Sequence, residues 1–462
     1  MKRIKLLLAV LLAFAMLAAA CGGDEDDADT GGGGDSAAAG DDSDAGDDMA
    51  DDGDDMAELV TGVGVTDDTI RIGFLSDLSG IFAGLTVPIT DGSTAYFERL
   101  NEQGGIAGRQ IEMVVRDTGY DVPTHLSHYD ELAGSGADAV IMFGTSTGSP
   151  HTAAIRDALV EDDMAGIVLS WNSSWSADNG SHVFEWGTNY CVEAMNGVSW
   201  LAEEHDAETI AVVSFPGDYG EDGAEGAKIA AEALGLEVVY DGQGAVVPGA
   251  DQTPVITQIA ESGADIVWMT TNAGSLAEIM GGAHGEGFEG QWGGNGPSFS
   301  PLLLPTDAGP LLTASYTHFA PYTAIGTGDS SGMADVVSLM QEYAPDKPYL
   351  SVYVTSWLMG EIARQGLEKA VENGELTRAG VAAALQSIEV DFQGLASNSN
   401  YAAADPNDQI ARGSWIFKPD HNSYNPDATM GADTEGEGLT LIEENYISDV
   451  AANWAYEPCF EI

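Results

Sequence analysis

Basic residues are what this chain most lacks. Lys and Arg together number 15 against 75 Asp and Glu, a formal net charge of −60 over 462 residues. Such a balance excludes nucleic acid and anionic lipid surfaces as partners, because both repel an acidic surface. It fits a saline habitat, where salt screens the self-repulsion. Cysteine is nearly absent too, with Cys21, Cys191 and Cys459 the full set of three. No His-Glu-x-x-His and no paired Cys-x-x-Cys occurs, so no metal site is expected. His125 and His128 share a helix face, at a spacing that more often marks a solvated face than a metal site. A nucleotide loop is missing as well. Gly217-x-x-Gly220-x-x-Gly223 carries no Lys-Ser/Thr, and Asp218, Glu221 and Asp222 would repel phosphate, so no cofactor is expected.

What is present begins with an export signal. Lys2, Arg3 and Lys5 form a basic start, and Leu6 to Leu17 an apolar stretch too short to span a bilayer comfortably. Ala18-Ala19-Ala20 then precedes Cys21. Residues 1–21 resemble a bacterial lipoprotein signal, with Cys21 as the lipidated residue. Residues 22–66 are read as an acidic tether. Through Glu58 they are Asp-, Gly- and Ala-rich, with no basic or aromatic residue, so they self-repel and cannot bury a core. Cys191 and Cys459 remain; in an exported chain a leftover pair suggests a disulfide fastening the C-terminus.

The folded part is organised around Thr69 to Asp117. Ile70 to Leu75 is a short, β-branched-rich run of the kind buried on both faces of a parallel sheet. Ser76-Asp77-Leu78-Ser79-Gly80 follows at its carboxyl end, where open α/β sheets hold ligands. A helix is expected over Thr94 to Leu100, a stop at Gly104-Gly105, and a second strand over Ile111 to Arg116. The pattern then recurs: TIRIGFL at Thr69 as TIAVVSF at Thr209, IEMVVRD at Ile111 as LEVVYDG at Leu236, and GADAVIMFG at Gly136 as GADIVWMTT at Gly263. Two parallel-sheet lobes in tandem follow, with a cleft between them as a small-molecule site. Ile167 to Ser170 reads as a further strand and Asn398 to Gln409 as a surface loop. Passages between lobes are expected at Phe184 to Tyr190, Tyr316 to Tyr322 and Asp391 to Trp415. Leu350 to Ala370 is a long helix returned to the first lobe. Lobe 1 is thus expected over 67–187 and 320–390, and lobe 2 over 188–319 and 391–462 with the C-terminal tail.

IGFLSDLSG, NEQGGIAGRQIEMVVRDTGYD and GDYGEDGAEGAKIAAEALG together make the chain resemble the extracytoplasmic substrate-binding proteins of ABC importers. The likeness is to the type I fold of the leucine/isoleucine/valine-binding group and covers nearly everything from Thr69 onward. It implies an α/β fold of two Rossmann-like lobes joined by a three-strand hinge, closing over a ligand. By resemblance, Ser79 and Phe82 belong to the first ligand loop, Ser146 and Thr147 hold a carboxylate, and Asn172 and Ser174 form the next loop. Tyr219 closes from lobe 2. Asn272 stands where amino-acid binders place a second-lobe tyrosine. Gly294-Asn295-Gly296-Pro297 stands where they place the glutamate for an α-ammonium. An unpaired buried ammonium is costly, so amides, urea-like compounds and aromatic acids stay open beside amino acids.

Gly144-Thr145-Ser146-Thr147-Gly148 also fits the nucleophile elbow of α/β hydrolases. A hydrolase needs a later acid and His, and neither His318 nor His421 sits at a convincing strand end. Ser146 is therefore read as a binding residue, with no catalytic residue assigned. Of Trp171, Trp175, Trp186 and Trp292, Trp171 beside the hydroxyl loop is the one expected to line the cleft. The sequence reads as a monomeric, lipid-anchored solute-binding protein serving an ABC permease and its ATPase; the alternatives are a ligand-presenting sensor and, less so, an exported serine hydrolase using Ser146.

Overall fold

The computed structural model describes residues 59–177, 181–328, 330–432 and 436–461. The expected signal, Cys21 and the tether through Glu58 lie outside the described residues. Among the described residues no helix is long and apolar enough to cross a membrane.

Lobe 1 starts with β1 (Thr69–Ser76), α1 (Ala83–Glu102), β2 (Gln110–Asp117), α2 (Val122–Ala133), β3 (Met142–Ser146), α3 (Ser149–Glu161), β4 (Gly166–Ile167) and β5 (Val183–Phe184). Its five strands are all parallel, in the order β2-β1-β3-β4-β5. Ile70, Ile72, Phe74 and Leu75 are buried, as a strand covered on both faces requires. The chain leaves α1 through Gly104 and Gly105, both at positive φ, a conformation glycine adopts without strain. α1 starts eleven residues before the expected Thr94. Pro88 and Gly92 lie inside it and hide it from a propensity reading, since both are poor helix formers.

Lobe 2 repeats the plan with α4 (Tyr190–Glu204), β6 (Thr209–Ser214), α5 (Asp218–Leu234), β7 (Glu237–Gly242), α6 (Thr253–Ser262), β8 (Ile266–Thr270), α7 (Ala273–Gly285), β9 (Gln291–Gly294), α8 (Gly309–Ser315) and β10 (Tyr316–Ala320). Here β6 lies between β7 and β8, as β1 lies between β2 and β3. The sequence repeat is thus a repeat of sheet topology. Two later strands, β11 (Ser414–Tyr424) and β12 (Glu437–Tyr446), extend this sheet antiparallel beyond β10, giving β12-β11-β10-β9-β8-β6-β7.

Between β10 and β11 the chain returns to lobe 1 as α9 (Ser331–Tyr343), α10 (Val352–Glu372) and α11 (Arg378–Leu385). Polar contacts fasten these helices to lobe 1. Tyr96 donates to Glu361 (2.6 Å), and Arg99 pairs with Asp335 (2.8 Å). The Arg378 guanidinium donates to the carbonyls of Ala133 and Val140. The three passages between lobes run side by side, linked by single bridges: Thr188 with Ala411, and Tyr322 with Ala396.

Two local expectations need correction. The strand expected over Ile167 to Ser170 is only Gly166–Ile167; Leu169 adds one bridge to Thr147 before a 3-10 turn at Ser173–Ala177. The surface loop expected over Asn398 to Gln409 is partly interior. Ser399 is buried and paired in a short strand, and the Tyr401 hydroxyl donates to the Glu185 carbonyl (2.7 Å).

Candidate functional site

The carboxyl ends of the parallel strands of both lobes face one another. Between them lies a small cavity walled by aromatic rings, with a free volume of about 20 Å³. That is room for one water, so an organic ligand enters only as the walls part. Lobe 1 contributes most of the lining, including Phe82, Tyr120, Thr147, Ser149 and Trp171; lobe 2 contributes Tyr190, Tyr219 and Pro297. Among the described residues, no charged side chain lines it.

Each wall is held by identifiable chemistry. The buried Asp77 carboxylate accepts the backbone N–H groups of Gly80 (2.5 Å) and Phe82 (2.8 Å), folding the loop after β1 so that Phe82 meets the cavity. Tyr120 follows β2 at positive φ, its ring 4.8 Å from that of Phe82. Thr147 and Ser149 flank Gly148, the residue that opens α3 at φ +99. A Cβ on Gly148 would lie 2.8 Å from the Tyr120 ring, a contact only glycine avoids. Among the described residues, the buried Thr147 hydroxyl has no hydrogen-bond partner, and neither has the Trp171 indole N–H. Buried polar atoms of this kind ordinarily find partners. From lobe 2, Tyr219 donates to the Thr271 carbonyl (2.7 Å), and its ring lies 4.6 Å from Tyr190 and 6.3 Å from Phe82.

Of the residues singled out from sequence, Phe82, Thr147, Trp171 and Tyr219 therefore meet at the cavity. The others do not line it. Ser79 is exposed and hydrogen-bonds Asp117. Ser146 turns its hydroxyl to His125 (3.3 Å) and Thr152 (3.4 Å). Asn172 reaches across the cleft, donating to the Asp218 carbonyl (2.6 Å), while its side-chain oxygen accepts from Ser174. Asn272 caps α7 through Ser275 N–H (2.8 Å). Asn295 sits behind the wall, donating to the Tyr190 carbonyl (3.1 Å) and accepting from Thr270 (2.6 Å). Tyr120, Ser149 and Tyr190 were missed; Tyr120 and Ser149 follow directly on strand ends, the one signal that could have found them. An acid does reach the loop where none was expected. Glu193 of α4 accepts Gly296 N–H (2.6 Å), and burial pushes its carboxyl well above the usual range.

His125 is a correction. It is fully buried rather than on a solvated face, because α2 lays it against Ser146. The 3.3 Å separation suits a nucleophile and base. The chemistry does not. His125 Nδ1 has no partner among the described residues, so no acid orients the ring. Burial, with His151 and His128 nearby, pushes the imidazole down to about 3. Ser146 itself is 0% exposed. The pair is a core hydrogen bond.

Two buried acids tie the lobes on either side of the cavity. Asp222 of α5 accepts both the N–H (3.1 Å) and the hydroxyl of Ser173 from lobe 1. Glu437 of β12 accepts both the N–H (2.5 Å) and the hydroxyl of Ser351, just before α10. Burial pushes each carboxyl up to about 7 despite these donors. The Asp222 tie is reinforced by the C-terminal tail. Tyr456 donates to the Ser173 carbonyl (2.5 Å), Cys459 N–H donates to the Ser173 hydroxyl (2.8 Å), and Cys459 is disulfide-bonded to Cys191 of α4.

Among solved structures, the chain is similar to a fatty acid ABC transporter substrate-binding protein from Thermomonospora curvata, at 30% identity. That alignment covers 87% of this chain and 98% of the other, with a TM-score of 0.76. It is similar in fold to a branched-chain amino acid ABC transporter protein from Thermus thermophilus with bound valine, at 17% identity, 84% and 99% coverage and a TM-score of 0.69. An Aeropyrum pernix ABC transporter substrate-binding protein matches at 19% identity, 83% and 98% coverage and a TM-score of 0.68. A search of curated proteins found no match. The family profile described as periplasmic binding protein matches residues 69–423. With two parallel-sheet lobes and a cavity at their facing strand ends, the chain belongs to the periplasmic binding protein family, the substrate-binding proteins of ABC transporters.

Proposed function

We propose that this protein captures a small carboxylate- or amide-bearing molecule with a flat or apolar body and delivers it to an ABC importer permease. It works outside the cytoplasm as a monomer held to the membrane by lipid on Cys21. The observation that carries the ligand reading is the unpaired Thr147 hydroxyl at the start of α3, inside an uncharged aromatic box. The N-terminus of a helix and a free hydroxyl suit a carboxylate or amide oxygen. Phe82, Tyr120, Trp171, Tyr190 and Tyr219 suit the body. Of the similar structures, one is a fatty acid transporter protein and another holds bound valine; a carboxylate on an apolar body is common to both.

The test is a thermal-shift and calorimetric panel of branched amino acids, their des-amino acids, amides, aromatic acids and sugars on the purified protein. A ligand at 100 times its dissociation constant adds about 2.7 kcal/mol of stability. The des-amino or aromatic acids should score, and Tyr219→Ala should lose them. Preference for α-amino acids over their des-amino forms would instead assign an ammonium partner, with the buried acids Asp77 and Glu193 the candidates. A panel in which only sugars score would overturn the reading.

A further inference from the structure

A second chamber adjoins the aromatic box. The two share Leu85, at the start of α1, in their walls, and the neighbouring residues Pro297 and Gly296 line one each. The second chamber is larger, with about 50 Å³ of free volume, room for roughly three waters. Its walls are mostly apolar and come from both lobes: Phe299, Ala324, Leu350, Phe417 and Leu439 besides Leu85. Most are nearly fully buried, with Phe299 at 5%, Ala324 at 2%, Leu350 at 5% and Phe417 at 1% exposure. Three titratable side chains, His318, Tyr322 and Glu437, also border it. Glu437 is occupied by Ser351, and His318, its ring 4.9 Å from Phe299, is held neutral by burial.

Such a chamber is costly to fill with water, and it opens from the place where the apolar body of a bound molecule would lie. We infer that it receives an unbranched apolar extension of the ligand, so that the substrate class is a short straight-chain carboxylate or its amide. The head sits at Thr147 and the start of α3, and the chain passes Leu85 toward Leu350 and Phe417. This rests on the head-group reading above and adds its length. Neither lobe alone forms the chamber, because α1, the start of α10 and strands β10 to β12 all border it. A chain that spans it therefore bonds the lobes through apolar contact. Occupancy and closure become the same event.

The experiment is calorimetric titration of the full mature protein with straight-chain monocarboxylates from acetate to decanoate. Affinity should climb roughly fourfold per added methylene and flatten once the chamber is full. Ala324→Phe, which fills it, should stop the climb at a shorter chain. Leu350→Ala, which enlarges it, should move the plateau to longer chains and keeps the test informative if Ala324→Phe folds poorly. A wild-type affinity that is flat with chain length overturns the inference and leaves the head-group reading standing. An unchanged plateau in both variants also overturns it, since the chain must then lie elsewhere. Silence across the whole series, with an aromatic acid or amino acid scoring in the earlier panel, rejects the chain and keeps the cleft. Silence in both experiments rejects both.

Discussion

The two lobes share a topology but not a task. Lobe 1 brings the unpaired polar atoms to the cavity, the Thr147 hydroxyl at a helix start and the Trp171 N–H on a loop that also bonds lobe 2 through Asn172 and Ser173. Lobe 2 brings Tyr190, Tyr219 and Pro297, whose polar atoms are mostly spent on their own surroundings. One lobe is a seat with open hydrogen-bonding capacity, and the other a lid that offers surface. On the proposed reading, one of the two equivalent sets of strand ends reads the ligand and the other excludes water from it. Ligand should then dock on lobe 1 first and be retained by lobe 2.

The largest effect that could break this comparison is Trp171→Ala. Truncating a buried tryptophan costs about 3–5 kcal/mol of stability, and ligand capture should vanish with the seat; retained capture would mean the lid does the reading. Tyr219→Ala should weaken binding roughly 100-fold, almost wholly through faster release in stopped-flow traces. A slower association rate instead would place the first encounter on lobe 2. Asp222→Ala strands the Ser173 donors and the backbone N–H of Cys191, at about 2–3 kcal/mol. It should shift small-angle scattering toward a more open envelope, whereas Thr147→Val should leave the envelope unchanged. Thr147→Val should cost roughly tenfold in affinity, a loss that an apolar isostere of the ligand would not feel.

The smallest effect is on pH. Asp222 and Glu437 have folded values of about 7, above those of the unfolded chain. The folded state therefore holds more protons through this interval, and its extra stability is lost as pH rises from 5 to 8. Over that range in 1 M salt, where repulsion among surface carboxylates is screened, the melting temperature should fall by a few degrees more in the wild type than in a variant lacking both carboxylates. The comparison cancels the opposite slope of the buried His125, His151 and His318. The Asp222→Asn, Glu437→Gln pair should flatten the slope.

The elements that sequence disclosed are those whose cause is local or repeated. Ile70 to Leu75 is apolar because it is covered on both faces, and its echo at Thr209 marks the second sheet before any coordinate does. Tyr219 came from the family resemblance, and Trp171 from its place beside the hydroxyl loop. Ser146 and Thr147 show where this ends. They are adjacent hydroxyls, and successive residues at a strand end point to opposite faces. The face toward the cavity depends on His125, which arrives from α2 and claims Ser146. Asn172 and Asn295 are buried amides whose partners, Asp218 and Tyr190, lie 46 and 105 residues away. Pairings at such separations leave no local pattern to read. Tyr190 followed the same rule, reaching the cavity from the first turn of α4 rather than from a strand end.

The disulfide between Cys191 and Cys459 closes a circle of chain 268 residues around. Inside that circle fall two of the three passages between lobes, the returned helices of lobe 1 and nearly all of lobe 2. Any single peptide bond cut within it yields two pieces that stay covalently joined. A protease nicking the exposed turn at Val247 to Ala250 should leave one band on a gel without reductant and two with it. For a protein that works outside the cell's own quality control, the circle turns a first cleavage from an ending into an interruption.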